Sequence, residues 1–210
     1  MAANVLTNQT WELSTEYVPV PLQNKLISQC FLELLHLGPG ANHAILRLVF
    51  KHPQVEASPR APAGTLGLIL NLEINGAIAA PSVPGEFVVR TLTAAGPHPK
   101  AVQSVELPVR GRKRFSNFLA VLKTAHLLPC TFNYIYPDAV GCRDFTAQYI
   151  YHLDRKNVLK LPADAAKTVY SLFNSRYAAN GTSIAHQAPR ALFGNPDFAR
   201  VVIAGLDLAP

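Results

Sequence analysis

From residue 26 to 109 the chain consists of short apolar runs that alternate faces or end at glycine and proline. From residue 113 onward its apolar side chains recur every three to four positions. A change of hydrophobic period from two to about 3.6 assigns the first part to strands and the second to helices. Residues 26–37, LISQCFLELLHL, and 44–50, AILRLVF, flank the breaker Gly38-Pro39-Gly40 and read as a hairpin-like pair. Residues 66–74, LGLILNLEI, put Leu68, Leu70 and Leu72 on one face and Ile69, Asn71 and Glu73 on the other. After a turn near Asn75-Gly76, residues 87–93, FVVRTLT, and 101–109, AVQSVELPV, are two further strands separated by the turn-prone AAGPHPK. The expectation is a meander of about five antiparallel strands.

In the second part, Phe115, Phe118, Leu119 and Leu122 predict a helix over 113–127 whose stripe packs on the sheet. TFNYIY, 131–136, is a short strand or extended connector. Phe145, Tyr149, His152 and Leu153 return to helical spacing after Gly141, and a third helix over 163–177 is introduced by Pro162. Residues 52–64, with three prolines, are a long surface loop, and 181–210 form an irregular tail with room for a short strand at ARVVIAG. The fold class is therefore α+β, an antiparallel sheet followed by packed helices. A chain of 210 residues fits one domain, with its core over about 25–180.

Hydrophobic residues make up 49% and charged residues 15%, a balance that excludes a disordered chain. No basic segment followed by an apolar one opens the sequence, and no run approaches the roughly 18 apolar residues of a membrane span. A cytoplasmic protein with no membrane span is expected. Cys30, Cys130 and Cys142 lack metal-like spacing and are odd in number, so neither a zinc site nor a disulfide framework is suggested, and no metal or other cofactor is required. The formal charge of +6 suits an anionic substrate, a nucleic acid or an acidic partner. Its one true cluster, residues 110–114, sits at a helix start without interleaved aromatics. That placement weighs against nucleic acid and favours a solvated surface, leaving a small molecule as the expected partner. The sequence assigns no oligomeric state.

Cys142 follows Gly141 and opens a helix. It is either a small buried hydrophobe or a nucleophile, because a thiol deprotonates most readily beside a cation or at a helix N-terminus. The first-turn N–H groups there could also hold an oxyanion. A nucleophilic cysteine needs an imidazole to take its proton. Of seven histidines His43 ranks first, at the start of a strand after a glycine-rich turn, and His36 second. His152, ten residues along the same helix, is too far up the axis. The alternative for His43 is a ring bonded to a turn carbonyl. Asn71, on a strand expected beside that of His43, is the candidate for orienting the imidazole, or else an amide stitching two strands; Glu73 competes for the role. Asp144 is expected to cap the Cys142 helix, and Arg143 to bind a substrate carboxylate or phosphate.

The order of a histidine strand, further strands, then Gly-Cys opening a helix resembles the permuted papain-like enzymes, which include NlpC-related and lecithin:retinol acyltransferase-like proteins. NHAIL and GCRDF stand where that group carries its histidine strand and cysteine helix. Residues 42–46, 70–73 and 141–145 are also similar to the NHW, RLNM and GCRxW signatures of a fungal family of unknown function, with Ala44 and Phe145 in place of tryptophan. The resemblance spans about residues 25–155. It implies a permuted papain-like arrangement and acyl transfer or amide or thioester hydrolysis, with Cys142 as nucleophile and His43 as base. A different reading is a noncovalent site, a binding protein or a cyclase or isomerase of fungal secondary metabolism. Its apolar pocket would be lined by Tyr134, Tyr136, Tyr149 and Tyr151.

Overall fold

The computed structural model describes residues 10–12, 18–38, 41–55, 62–74, 82–135, 138–195 and 198–207. In chain order the elements are β1 (Thr10–Glu12), α1 (Val20–Gln23), β2 (Ile27–Gly38), β3 (Ala41–Phe50), β4 (Gly67–Ile74), β5 (Ser82–Leu92), β6 (Ala101–Leu107) and α2 (Phe115–Thr124). There follow β7 (Cys130–Ile135), β8 (Asp138–Val140), α3 (Cys142–Arg155), α4 (Ala163–Ser171), a 3-10 turn (Leu172–Asn174), β9 (Ser175–Tyr177), β10 (Ser183–Ala185) and β11 (Leu192–Phe193). The fold is α+β.

Strands β2 to β5 form the expected meander, but the sheet is larger than five strands. Its order is β11-β7-β5-β4-β3-β2-β6, with β1 also on β5 and β8 on β7, and every pairing is antiparallel. The fifth expected strand, β6, does not continue the meander beside β5. It pairs with β2 at the far edge, Cys30 opposite Leu107 and Leu34 opposite Gln103. Residues 93–100 are therefore a crossover, not a hairpin turn. They must travel four strand spacings, about 19 Å, which eight residues can span. The turn expected at Asn75-Gly76 lies outside the described residues.

Alternation along the strands decides what each face of the sheet carries. Leu32 and Leu34 of β2, Leu46 and Leu48 of β3, Leu70 and Leu72 of β4 are buried in one core cluster. Onto that cluster pack Phe115, Phe118, Leu119 and Leu122 of α2, with Phe145, Tyr149 and Leu153 of α3, so the helical spacing in the sequence marks real buried stripes. The opposite face carries His43, Arg47, Ile69, Asn71, Glu73 and Arg90, since Arg47 and Arg90 are both register partners of Ile69. Arg47 and Glu33 form a buried ion pair there at 2.6 Å, and the backbone N–H of His98 donates to Glu33 Oε2 at 3.0 Å. Glu33 thereby pins the crossover onto the polar face.

Two other expectations are corrected. The helix predicted over 163–177 ends at Ser171; a 3-10 turn and strand β9 replace its last turns, because Arg143 and Asn42 take the backbone groups of Phe173, Ser175 and Tyr177. No strand forms at 199–205; the short strands of the tail are β10 and β11. Backbone groups at Ala191 and Val201 bond instead to Asp144 and Gln148 of α3, which lays the tail along that helix with Ala188, Ala191 and Ile203 buried. Among the described residues no helix is long and apolar enough to cross a membrane.

Candidate functional site

Cys142 is the first residue of α3, placed there by Gly141, whose φ of +133° is a conformation L side chains rarely adopt. A Cβ at that position would also lie 3.1 Å from Ala191 Cα. Helix α3 packs on β3, with Thr146 Oγ1 donating to Ala44 O at 3.5 Å, and this contact brings its first residue to the start of β3. There the Cys142 sulfur is hydrogen-bonded to the His43 imidazole and meets the backbone N–H of Ala44. Cys142 is 7% exposed and His43 only partly buried, so the pair is reached from one side.

The second ring nitrogen of His43 is fixed. Nε2 donates to Asn71 Oδ1, leaving Nδ1 for the sulfur. The Asn71 amide is itself held, because its Nδ2 donates to Glu73 Oε1 at 2.6 Å and an amide nitrogen is the only end of that group a carboxylate can accept from. Arg90 closes the chain by donating to Glu73 Oε2 at 2.6 Å and pairing with its charge. Asn71 and Glu73 thus have successive places in one chain, not competing ones. Strand alternation and the adjacency of β3, β4 and β5 put His43, Asn71, Glu73 and Arg90 on one face.

Electrostatics favour charge separation in the pair. Burial alone would push the Cys142 thiol up, but the imidazole's charge and hydrogen bond, the Arg143 guanidinium and the Ala44 N–H outweigh it and hold the thiol below its ordinary value. Burial likewise pulls His43 down, yet the Cys142 sulfur, the bonds to it and to Asn71, and the Glu73 charge lift the imidazole above the usual range. Cys130 has no imidazole acting on it, and burial with the nearby Asp144 charge outweighs Arg200 and the Thr131 backbone, pushing its thiol up to about 12. Cys30 is raised further by desolvation.

The pair opens on a cavity of about 910 Å³ between the polar face of the sheet, the crossover 93–100 and the segment from Arg176 to Pro189. Cys142, His43, Asn71, Glu73 and Arg143 all border it. Arg143 is held tightly: its guanidinium donates to Phe173 O at 2.9 Å, Ser175 O at 2.7 Å and Asn42 Oδ1 at 3.0 Å. Those donors serve the fold, while the charge still faces the cavity. Asp144 does not cap α3, as expected from sequence; Gly141 holds the cap position, and Asp144 Oδ2 accepts from Ala191 N at 2.8 Å and from Arg200. It is a clasp for the tail.

Among the described side chains no tyrosine borders this cavity; those of Tyr134 and Tyr136 lie outside the described ones. Tyr149 is a core residue, packed against Phe87 and Phe145, with its hydroxyl donating to Phe118 O at 2.8 Å. Tyr151 packs on the edge of His152. Tyr134 belongs to β7, and Tyr136 lies outside the described residues. His36, the second histidine candidate, donates from Nδ1 to Tyr177 O at 3.1 Å. Among the described residues no group of three or more His, Cys, Asp or Glu side chains could hold a metal ion. Residues the sequence did not single out are Arg90, Arg176, His186 and the crossover. Of these only Arg90 had a signal, a cation on the strand paired with the one carrying Glu73. Comparison of the chain with protein families, curated proteins and solved structures finds no match.

Proposed function

We propose that the protein catalyses cysteine-dependent acyl transfer, or hydrolysis of an amide or thioester, on a small molecule. The observation that carries this reading is the hydrogen-bonded sequence Cys142, His43, Asn71 at the wall of a large cavity. A thiolate at a helix start, an imidazole bonded to it through one nitrogen, and an amide fixing the other nitrogen are the parts a covalent acyl mechanism requires. Their order, histidine strand before cysteine helix, supports a permuted papain-like arrangement of the α+β fold.

In the first step Cys142 Sγ attacks the acyl carbon, and the carbonyl electrons move to an oxyanion held by the first N–H groups of α3, which have no intrahelical acceptor. Collapse breaks the bond to the leaving amine or thiol, which takes its proton from the His43 imidazolium. Water or an acceptor then attacks the thioester and gives its proton to His43, and the departing thiolate restores the ion pair.

Iodoacetamide at neutral pH tests the nucleophile without knowledge of the substrate. Cys142 should be alkylated at least tenfold faster than Cys30 or Cys130, and His43→Ala should remove that advantage. Against amide and thioester substrates, Cys142→Ser and His43→Ala should each reduce turnover about a thousandfold or more. Turnover surviving in the serine variant, or equal alkylation of the three thiols, would overturn the proposal.

A further inference from the structure

The charge bordering the cavity is one-sided. Arg90, Lys100, Arg143 and Arg176 line it, and the only carboxylate among the described lining residues is Glu73. Arg90 neutralises Glu73, so the other three cations have no carboxylate partner among the described residues. Arg143 and Arg176 stand close enough for each to feel the other. After burial, both contribute to holding the His186 imidazole below its ordinary range, and the Arg176 charge also opposes that of Arg143. Arg176 is half-buried on β9, and its guanidinium has no hydrogen bond among the described residues. Two neighbouring guanidinium groups at a partly desolvated wall repel unless an anion lies between or beside them.

An aliphatic strip of the lining runs from the interior to exposed residues. Ile45 and Ile69 line the interior, while Leu37 and Ile74 line it too and remain 48% and 36% exposed. Exposed large aliphatic residues at the mouth of a pocket mark a place where hydrocarbon is covered on binding.

Resting on the acyl-transfer reading, we infer that the substrate is an acyl compound with an anionic group, carboxylate or phosphate, that sits against Arg176 beside Cys142 while its hydrocarbon lies along Leu37, Ile45, Ile69 and Ile74. Arg176 binds the anion by charge-assisted hydrogen bonds and so fixes which end of the ligand faces the sulfur. Arg143, with three of its five N–H groups already given to Phe173 O, Ser175 O and Asn42 Oδ1, adds chiefly its charge.

Calorimetric titration of the Cys142→Ser protein separates this inference from the chemistry, since binding needs no thiolate. The probes are N-dodecanoylglycine, its methyl ester and dodecanoyl coenzyme A, all below micellar concentrations. The free acid should bind about tenfold more tightly than the ester, Arg176→Gln should erase the difference, and Arg176→Lys should keep most of it. The advantage should shrink as salt is raised. If only the coenzyme A ester shows tight, Arg176-dependent binding, the anion is a phosphate. Equal affinity for the acid and its ester, with no effect of Arg176→Gln on any of the three probes, would overturn the inference even where Cys142 proves reactive. The acid-to-ester ratio of the parent protein decides the matter if the glutamine variant fails to fold.

Discussion

Cys30, Cys130 and Cys142 are all buried, yet their thiols meet different neighbours. Burial dominates the first, with the Arg47 and Glu106 charges opposing each other; an imidazole, a guanidinium and a backbone N–H act on the last. In the proposed chemistry the active form of the pair is thiolate with imidazolium. Activity should rise as pH climbs through the lowered thiol pKa, hold while both charges persist, and fall as pH passes the raised imidazole pKa. Glu73→Gln removes a negative charge that lifts His43 and also frees the Asn71 amide to turn. Its alkaline limb should move to lower pH, with kcat reduced about tenfold and KM little changed. A pH–rate profile of turnover checks both features, and an unmoved alkaline limb would confine Glu73 to folding. Cys142, His43 and Asn71 were legible because each occupies a position with a local signature: a helix start, a strand start, an amide in an apolar run. Arg176 had none, since a cation in a short strand after a helix looks like any solvated arginine.

Helix α3 begins where it does because Gly141 adopts a backbone conformation others resist and leaves room for the tail. Gly141→Ala should cost about 1–3 kcal/mol through strain, and the Cβ must push against Ala191. The visible result would be slower alkylation of Cys142, measured beside a lowered melting temperature. Apolar spacing gave the buried faces of α2 and α3 and the division of β4 into an aliphatic and a polar face. It could not give the end of α4, because the residues after Ser171 are taken out of the helix by bonds to Arg143 and Asn42, more than thirty and a hundred residues away. Nor could it place β6, since AAGPHPK has the composition of a turn and nothing local says which edge the next strand will join.

Strand order is settled by the molecule as a unit, and the Glu33–Arg47 pair is one of the ties that settles it. Glu33 Oε1 accepts from Arg47 Nε, Oε2 accepts from the crossover at His98, and the Arg47 guanidinium lies 4.1 Å above the Phe31 ring. Glu33→Ala should leave Arg47 buried without a counter-charge, a cost of about 3–5 kcal/mol. For a chain of this length, at roughly 2–4 °C per kcal/mol, the melting temperature should drop by about 6–20 °C. Calorimetry checks this, and a drop of a degree or less would show that the crossover is held by other contacts. The tail adds a tie of another kind. Asp144 and Gln148 of α3 receive their partners from residues 191 to 201, some fifty positions later in the chain. A ribosome therefore releases the sulfur-bearing helix some fifty residues before the segment that clasps it, so the start of α3 gains these ties only after the rest of its surroundings have been made.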